Sequence, residues 1–303
     1  MGITHAVNEP STGCGAADPG PGPIAYRLMV GVRLRRLREG LGIGQAAAAE
    51  AIGATHAKIS RLELGRGRIK RHDVADLLTL YGVTDEAERE TMFALVDQAD
   101  RPGWWHDYAD LVPPWLEPYI GLEQAARLIR AWQVRFVPGL LQTEGYARAV
   151  IRPARHPSCR SEEDAERRVA LRMERQRILT RSDPPKLWVI LDEAVLRRQV
   201  GGAATMRDQL RHLIDITELG NVTIQILPLG TACYLPPGGP VVILRLAGDD
   251  VPDVVYLERL GNGVYPERPA EVMRYRDVFN RLSVAAEPPP ATITILNDIL
   301  QET

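Results

Sequence analysis

Arg61 carries a guanidinium that can give two parallel hydrogen bonds to the edge of a guanine. Just upstream stand Thr55 and His56, which can donate or accept, and Ala57, which is small enough to touch a thymine methyl. If this segment is a helix, these residues line one outward face together with Lys58 and Ser60. The chemistry they suit is reading base edges in a DNA major groove. Gln45, Lys58, Arg66 and Arg68 flank that face and suit phosphate oxygens, with the N-terminus of the preceding helix adding backbone N–H groups.

Such a face needs a scaffold. Val30, Leu34, Leu37 and Leu41 repeat at helical spacing and predict a first helix, with Arg33, Arg35, Arg36 and Arg38 beside its apolar stripe. A second helix is expected from Gln45 to Ile52. Gly53 then supplies the positive φ of a tight turn. Thr55 caps a third helix that runs to about Leu64, before Gly65. Ala49, Ile52, Ile59 and Leu62 are expected to face helix 1, and the small Ala49 lets helices 2 and 3 approach closely.

Charge supports the same reading. Residues 27–72 hold 11 Lys or Arg against 3 Asp or Glu, and residues 73–119 hold 2 against 11, although the whole chain carries only -2. A basic block inside a near-neutral chain marks a small nucleic-acid-binding module. Stacking aromatics are not interleaved with it, which disfavours RNA. A single recognition helix reads too short a site, so a homodimer on two half-sites is expected.

Gln45, Ala49, Gly53, Thr55, Ile59, Ser60, Leu62, Glu63 and Gly65 stand in the order and spacing of the Xre/phage-repressor helix-turn-helix family, which this stretch resembles. It departs at Gly44, where a Ser or Thr cap is usual, and at Ala48, where Leu is usual. The lost cap costs about 1 kcal/mol.

The rest of the chain reads as a second domain. Hydrophobic residues make up 45% and charged residues 25% of 303 residues, which is enough for two cored domains. A Pro/Gly-rich tail is expected to be disordered over 1–26, with the DNA-binding domain at 27–99. An aromatic and proline-rich connector follows at 100–119, and a C-terminal domain at 120–303. Helices are expected at 121–132, 143–151, 161–181, 205–219, 268–283 and 292–301. Strands are expected at 187–191 and 222–227, with a β-pair at 240–246 and 253–259. The fold class is therefore an all-α, lambda-repressor-like helix-turn-helix domain followed by an α+β domain.

Two surfaces in this part are candidates for a partner or ligand. Arg168, Arg172 and Arg175 lie on an arginine-rich helix that is either a solvated, ion-paired face or a groove for an acidic partner. Trp104 and Trp105, with Trp115, either pack between the domains or couple them. Residues 133–146 form a turn in either a pocket or plain core. Catalytic chemistry is not expected. Asp192 and Glu193 follow a strand, but Asp192 suits a helix cap and adjacent helical carboxylates diverge. The six histidines lack metal-ligand spacing, and no motif calls for a cofactor. Three scattered cysteines and the lack of a signal-like start or long apolar run point to a cytoplasmic protein without a membrane span.

Several long segments extend the resemblance. They are Gly103-Trp104-Trp105, YIGLEQAA at 119–126, VPGLLQTEGYARAV at 137–150, LRMERQRILTR at 171–181, LWVILDEAVLRRQVGG at 187–202, NVTIQILPL at 221–229 and DVVYLERL at 253–260. Over residues 27–303 the chain resembles the streptomycete WhiJ-like regulators, which join an Xre-type domain to a large domain of unassigned biochemistry. The resemblance implies an antitoxin-like or developmental regulator with a small acidic BldB-like protein partner. At 239–246 the segment GPVVILRL lacks the aromatic usual after the proline, and the tail with Pro288-Pro289-Pro290 is also atypical. Three functions follow as expectations: a DNA-binding transcriptional regulator, an antitoxin-like protein that neutralises its partner, and a DNA-targeted enzyme acting on a small metabolite.

Overall fold

In the computed structural model, the chain is described over residues 21–152, 161–231, 239–248, 251–259 and 261–303. The expected tail lies outside these residues up to residue 20. Its expected end at residue 26 moves earlier, because α1 (Pro23–Gly40) already begins at Pro23, with the proline in the first turn where its missing N–H costs nothing.

Five helices form the N-terminal unit: α1, α2 (Gln45–Ala51), α3 (His56–Glu63), α4 (Arg71–Leu80) and α5 (Glu86–Ala99). Val30, Leu34, Ala48, Ala49, Ile59, Leu62, Val74, Leu77, Leu78, Met92 and Val96 build their common core. The α1 stripe differs from the expected one at its end. Leu41 caps the helix and is exposed, whereas Arg38, one turn after Leu34, is buried.

The expected connector is ordered. Trp104–Tyr108 make a 3₁₀ turn, and α6 (Glu117–Ala125) follows. The helix expected at 121–132 ends at Ala125, because Ala126–Gln133 form strand β1. β1 lies at the centre of the sheet, paired with a strand on each side, and contributes to a core on both faces. Ile129 and Ala131 face one core and Trp132 the other. A strand with a core on both faces loses the polar alternation that would identify it locally.

The C-terminal unit continues with α7 (Glu144–Ile151), α8 (Glu162–Gln176), β2 (Lys186–Asp192), α9 (Glu193–Arg197) and α10 (Ala203–Ile216). It closes with β3 (Val222–Leu227), β4 (Val241–Leu246), β5 (Val254–Arg259), β6 (Asn262–Val264), α11 (Pro269–Ala285) and α12 (Thr292–Glu302). Strand order is β3-β2-β1-β4-β5-β6. The β1–β2 and β2–β3 pairs are parallel and need helical crossovers, which α7–α8 and α9–α10 supply. The β1–β4, β4–β5 and β5–β6 pairs are antiparallel.

Period-two alternation sends Leu187, Val189 and Leu191 of β2 into the larger core and Ile190 into the core under α11, where Phe279 and Leu282 meet Trp132. The result is a mixed α+β domain with helices on both sheet faces. The segment 133–146 is mostly core: Val137, Leu140, Leu141 and Tyr146 are buried, and Gln142 donates to the Val137 carbonyl at 2.6 Å.

The two units share α1. Its first turn places Ile24 and Ala25 in the core of the C-terminal domain beside Trp105, Tyr119 and Ile120, while Val30 and Leu34 belong to the helical unit. Gly121 of α6 permits this approach, since a Cβ there would lie 2.8 Å from Cδ1 of Ile24 and 3.0 Å from the Trp105 ring.

Candidate nucleic-acid interface

Helix α3 is held from within and open outward. Ile59, Leu62 and Glu63 are buried, while Thr55, His56, Ala57 and Arg61 are exposed on the opposite side. Thr55 caps α3 by accepting the Lys58 N–H at 3.2 Å. Gly53, at φ +61°, makes the turn from α2. Gly44 begins α2 without a side-chain cap. Ala48, where a larger side chain is usual, is fully buried and brings α2 close to its neighbours.

Glu63 is the polar centre of this unit. The Arg38 guanidinium donates to it through Nε at 2.5 Å and Nη2 at 2.9 Å, and Gln45 Nε2 donates at 2.8 Å. Arg38 Nη1 also donates to the Ile43 carbonyl at 2.7 Å. One carboxylate thus ties α1, the start of α2 and the end of α3. The hydrogen bond that Arg38 donates to Glu63 raises the Arg38 pKa further and keeps it charged. Burial pushes the nearby Tyr81 hydroxyl up to about 12. The sequence places Glu63 in the family pattern but does not mark its partner, because Arg38 is one of four arginines close together on α1.

The four residues expected at phosphates are all engaged within the chain. Gln45 reaches Glu63. Lys58 Nζ pairs with the buried Asp73 at 2.6 Å. Arg68 pairs with Asp100 at 2.8 Å and holds that carboxyl below the usual carboxylate range. Arg66 pairs with Glu267 of the C-terminal domain. The side chains of Gln45 and Lys58 therefore turn towards carboxylates, in place of the outward orientation that phosphate contact needs. Arg71 follows the same rule, pairing with Asp97 at 2.9 Å and stacking over Phe93 at 4.2 Å. The acidic block at 73–119 thus folds back onto the basic block at 27–72.

The arginine-rich face of α8 is corrected more strongly. Arg175 makes a bidentate pair with buried Glu123, at 2.8 and 2.9 Å, and lies over the Tyr119 ring. Arg172 donates to Gln142 Oε1 at 2.9 Å, and burial together with Arg175 pushes its pKa down to about 10. Arg168, one turn earlier, is half-buried. Arg167, on the same helix, pairs with Asp110 of the expected connector at 2.5 Å. Arg167, Arg172 and Arg175 bind the domain to itself, and among the described residues they do not line an open cationic groove.

Trp105 is buried against α1 and α6, and Trp104 packs edge-on against it with ring centroids 6.0 Å apart. Trp115 contributes its carbonyl to the Tyr265 hydroxyl at 3.2 Å. The carboxylates after β2 are structural: Asp192 caps α9 by accepting the Ala194 N–H at 2.9 Å. Glu193 accepts from the Leu229 N–H at 2.9 Å and from Arg197 at 2.6 Å. Among the described residues no cluster of His, Cys, Asp and Glu is placed to hold a metal ion, and no helix is long and apolar enough to cross a membrane.

Two families match parts of the chain. Residues 30–92 match a helix-turn-helix domain. Residues 116–298 match the family described as a domain of unknown function (DUF5753). No curated protein and no solved structure matches the chain. The second match covers more than half of the sequence and nearly all of the mixed sheet with its helices, so the chain belongs to the DUF5753 family and carries a helix-turn-helix domain in front of the family domain.

Proposed function

We propose that the chain is a sequence-specific, DNA-binding transcriptional regulator that acts as a homodimer, with a C-terminal domain that receives a signal from an effector or a protein. The carrying observation is the two-sided character of α3: Ile59 and Leu62 anchor it, while Thr55, His56, Ala57 and Arg61 are exposed on the side that a major groove would take. In this reading Arg61 and His56 read base edges. Arg66 and Arg68 exchange their exposed carboxylate partners for phosphates, and the N-terminus of α2 meets the backbone. Two copies would place paired α3 helices about one DNA turn, ~34 Å, apart.

An enzymatic role has less support, since Asp192 and Glu193 serve as a cap and a loop anchor. An acidic BldB-like partner, as the resemblance to WhiJ-like regulators implies, would need a surface other than the α8 arginines, because Arg172 and Arg175 are turned inward.

Selection from a random duplex pool, at two salt concentrations and beside Arg61→Ala, tests the proposal. An inverted repeat should be enriched, and the variant should lose preference at one base of each half-site. Sequence-blind binding unchanged by Arg61→Ala overturns it.

A further inference from the structure

A cleft of about 1030 Å³ opens between the two units. One wall is α1 with the turn that leaves α3, through Leu28, Val32 and the segment Leu64–Gly67. The other wall is built from α6, the start of β5, the segment before α11 and α11 itself, with Leu122, Val254, Val272 and Met273 supplying apolar surface. Small-molecule sites favour such positions at domain interfaces, have volumes of roughly 300–1,000 Å³, and are lined mainly by apolar groups with a few polar ones.

The charges around this cleft are largely satisfied by one another. Arg35 pairs with Glu39 at 2.8 Å, Arg276 approaches Asp253 at 3.5 Å, and Arg66 pairs with Glu267. An ionic ligand would compete with these pairs for its partners, whereas a neutral one would gain by covering the apolar walls. Arg27 and Glu117 also line the cleft and stand outside these pairs: Arg27 donates to the Ala99 carbonyl at 3.2 Å, and the exposed Glu117 carboxylate makes no ion pair among the described residues. Met273, 59% exposed, extends the apolar wall of the cleft towards its opening.

We propose that this cleft binds a neutral, predominantly apolar small molecule bearing a hydrogen-bond donor, such as a hydroxyl, for the Glu117 carboxylate. This deepens the regulator reading, because the ligand would touch both α1 and the turn that positions α3. Its occupancy and DNA affinity are then linked, and by reciprocity DNA changes the ligand's affinity by the same factor.

The full chain is titrated with N-phenyl-1-naphthylamine, a neutral fluorophore carrying one N–H donor. Saturable binding at one site per chain is expected. Met273→Arg should weaken it at least tenfold. Val284→Arg, which alters an 87% exposed residue on the same helix outside the cleft, should leave it unchanged. Glu117→Gln should weaken it severalfold with the circular dichroism spectrum intact. Lack of binding, or binding indifferent to Met273→Arg, overturns the site. A chain that selects DNA but fails this titration loses the cleft site and keeps the regulator reading. A chain that binds the probe in a Met273-dependent way but selects no DNA loses the regulator reading and keeps the site.

Discussion

Arg66, one residue past the turn that ends α3, is ion-paired with Glu267, two residues before α11 begins. The pair joins the helix-turn-helix unit to the C-terminal domain, and both residues line the cleft. Both side chains are about half exposed, at 50% and 45%, so the pair contributes no more than about 1 kcal/mol. That is enough to bias Arg66 and weak enough to exchange for a phosphate. Glu267→Gln should therefore raise affinity for any duplex severalfold at low salt and steepen the salt dependence by up to ~1 in slope. Arg66→Ala should lower affinity uniformly across sequences. Filter binding over a salt series reads both, and an unchanged slope in Glu267→Gln counts against a role for Arg66 at phosphate.

The Arg38–Glu63 pair obeys different energetics. Only 8% and 3% of the two side chains is exposed, so removing one partner strands a buried charge. Glu63→Ala should cost about 3–5 kcal/mol in urea denaturation. Combining Arg38→Met with Glu63→Leu should recover much of that loss. If Glu63→Ala proves neutral, the carboxylate is not the staple of α1, α2 and α3.

Gly121 sets the distance between α6 and α1. In Gly121→Ala the new methyl would press on Ile24 at 2.8 Å, and overpacking of this kind costs about 1–3 kcal/mol. Ile24→Ala added to Gly121→Ala should relieve the clash, giving a double variant more stable than the sum of the two single losses predicts. Thermal melts of the four proteins measure this coupling, and strict additivity would argue against the contact.

His212 lies half-buried on α10, with Nε2 shielded from water and lacking a hydrogen-bond partner, and burial pushes its pKa down. The folded state therefore holds this proton less tightly than the unfolded state, whose histidine titrates near ~6.5. Protons then favour unfolding, so the His212 contribution is fully present above about pH 6.5 and declines as pH falls below it. The urea midpoint should drop between pH 7 and pH 5.5, and His212→Leu should flatten that dependence. An equal drop in the variant would assign the effect to other groups.

Much of the helix-turn-helix unit was legible in the sequence, because its signals are local. Gly53 and Thr55 act within one turn of their own positions, and the apolar spacing at Ile59 and Leu62 leaves only one face of α3 for Arg61. The strands at 187–191 and 222–227 and the cap at Asp192 were readable for the same reason. Tertiary structure alone decided the rest. Residues 126–133 become a central strand because β2 and β4 take up their backbone hydrogen bonds, an outcome set by partners roughly 60 and 115 residues away. Which cations meet a carboxylate is decided the same way: Lys58, Arg68 and Arg71 look alike in sequence to Arg61, yet each pairs with a carboxylate from α4 or the end of α5, whereas Arg61 donates to the Ala57 carbonyl of its own helix. Charge type is a property of a residue, but pairing is a property of distance, and distance between remote residues exists only once the chain has folded.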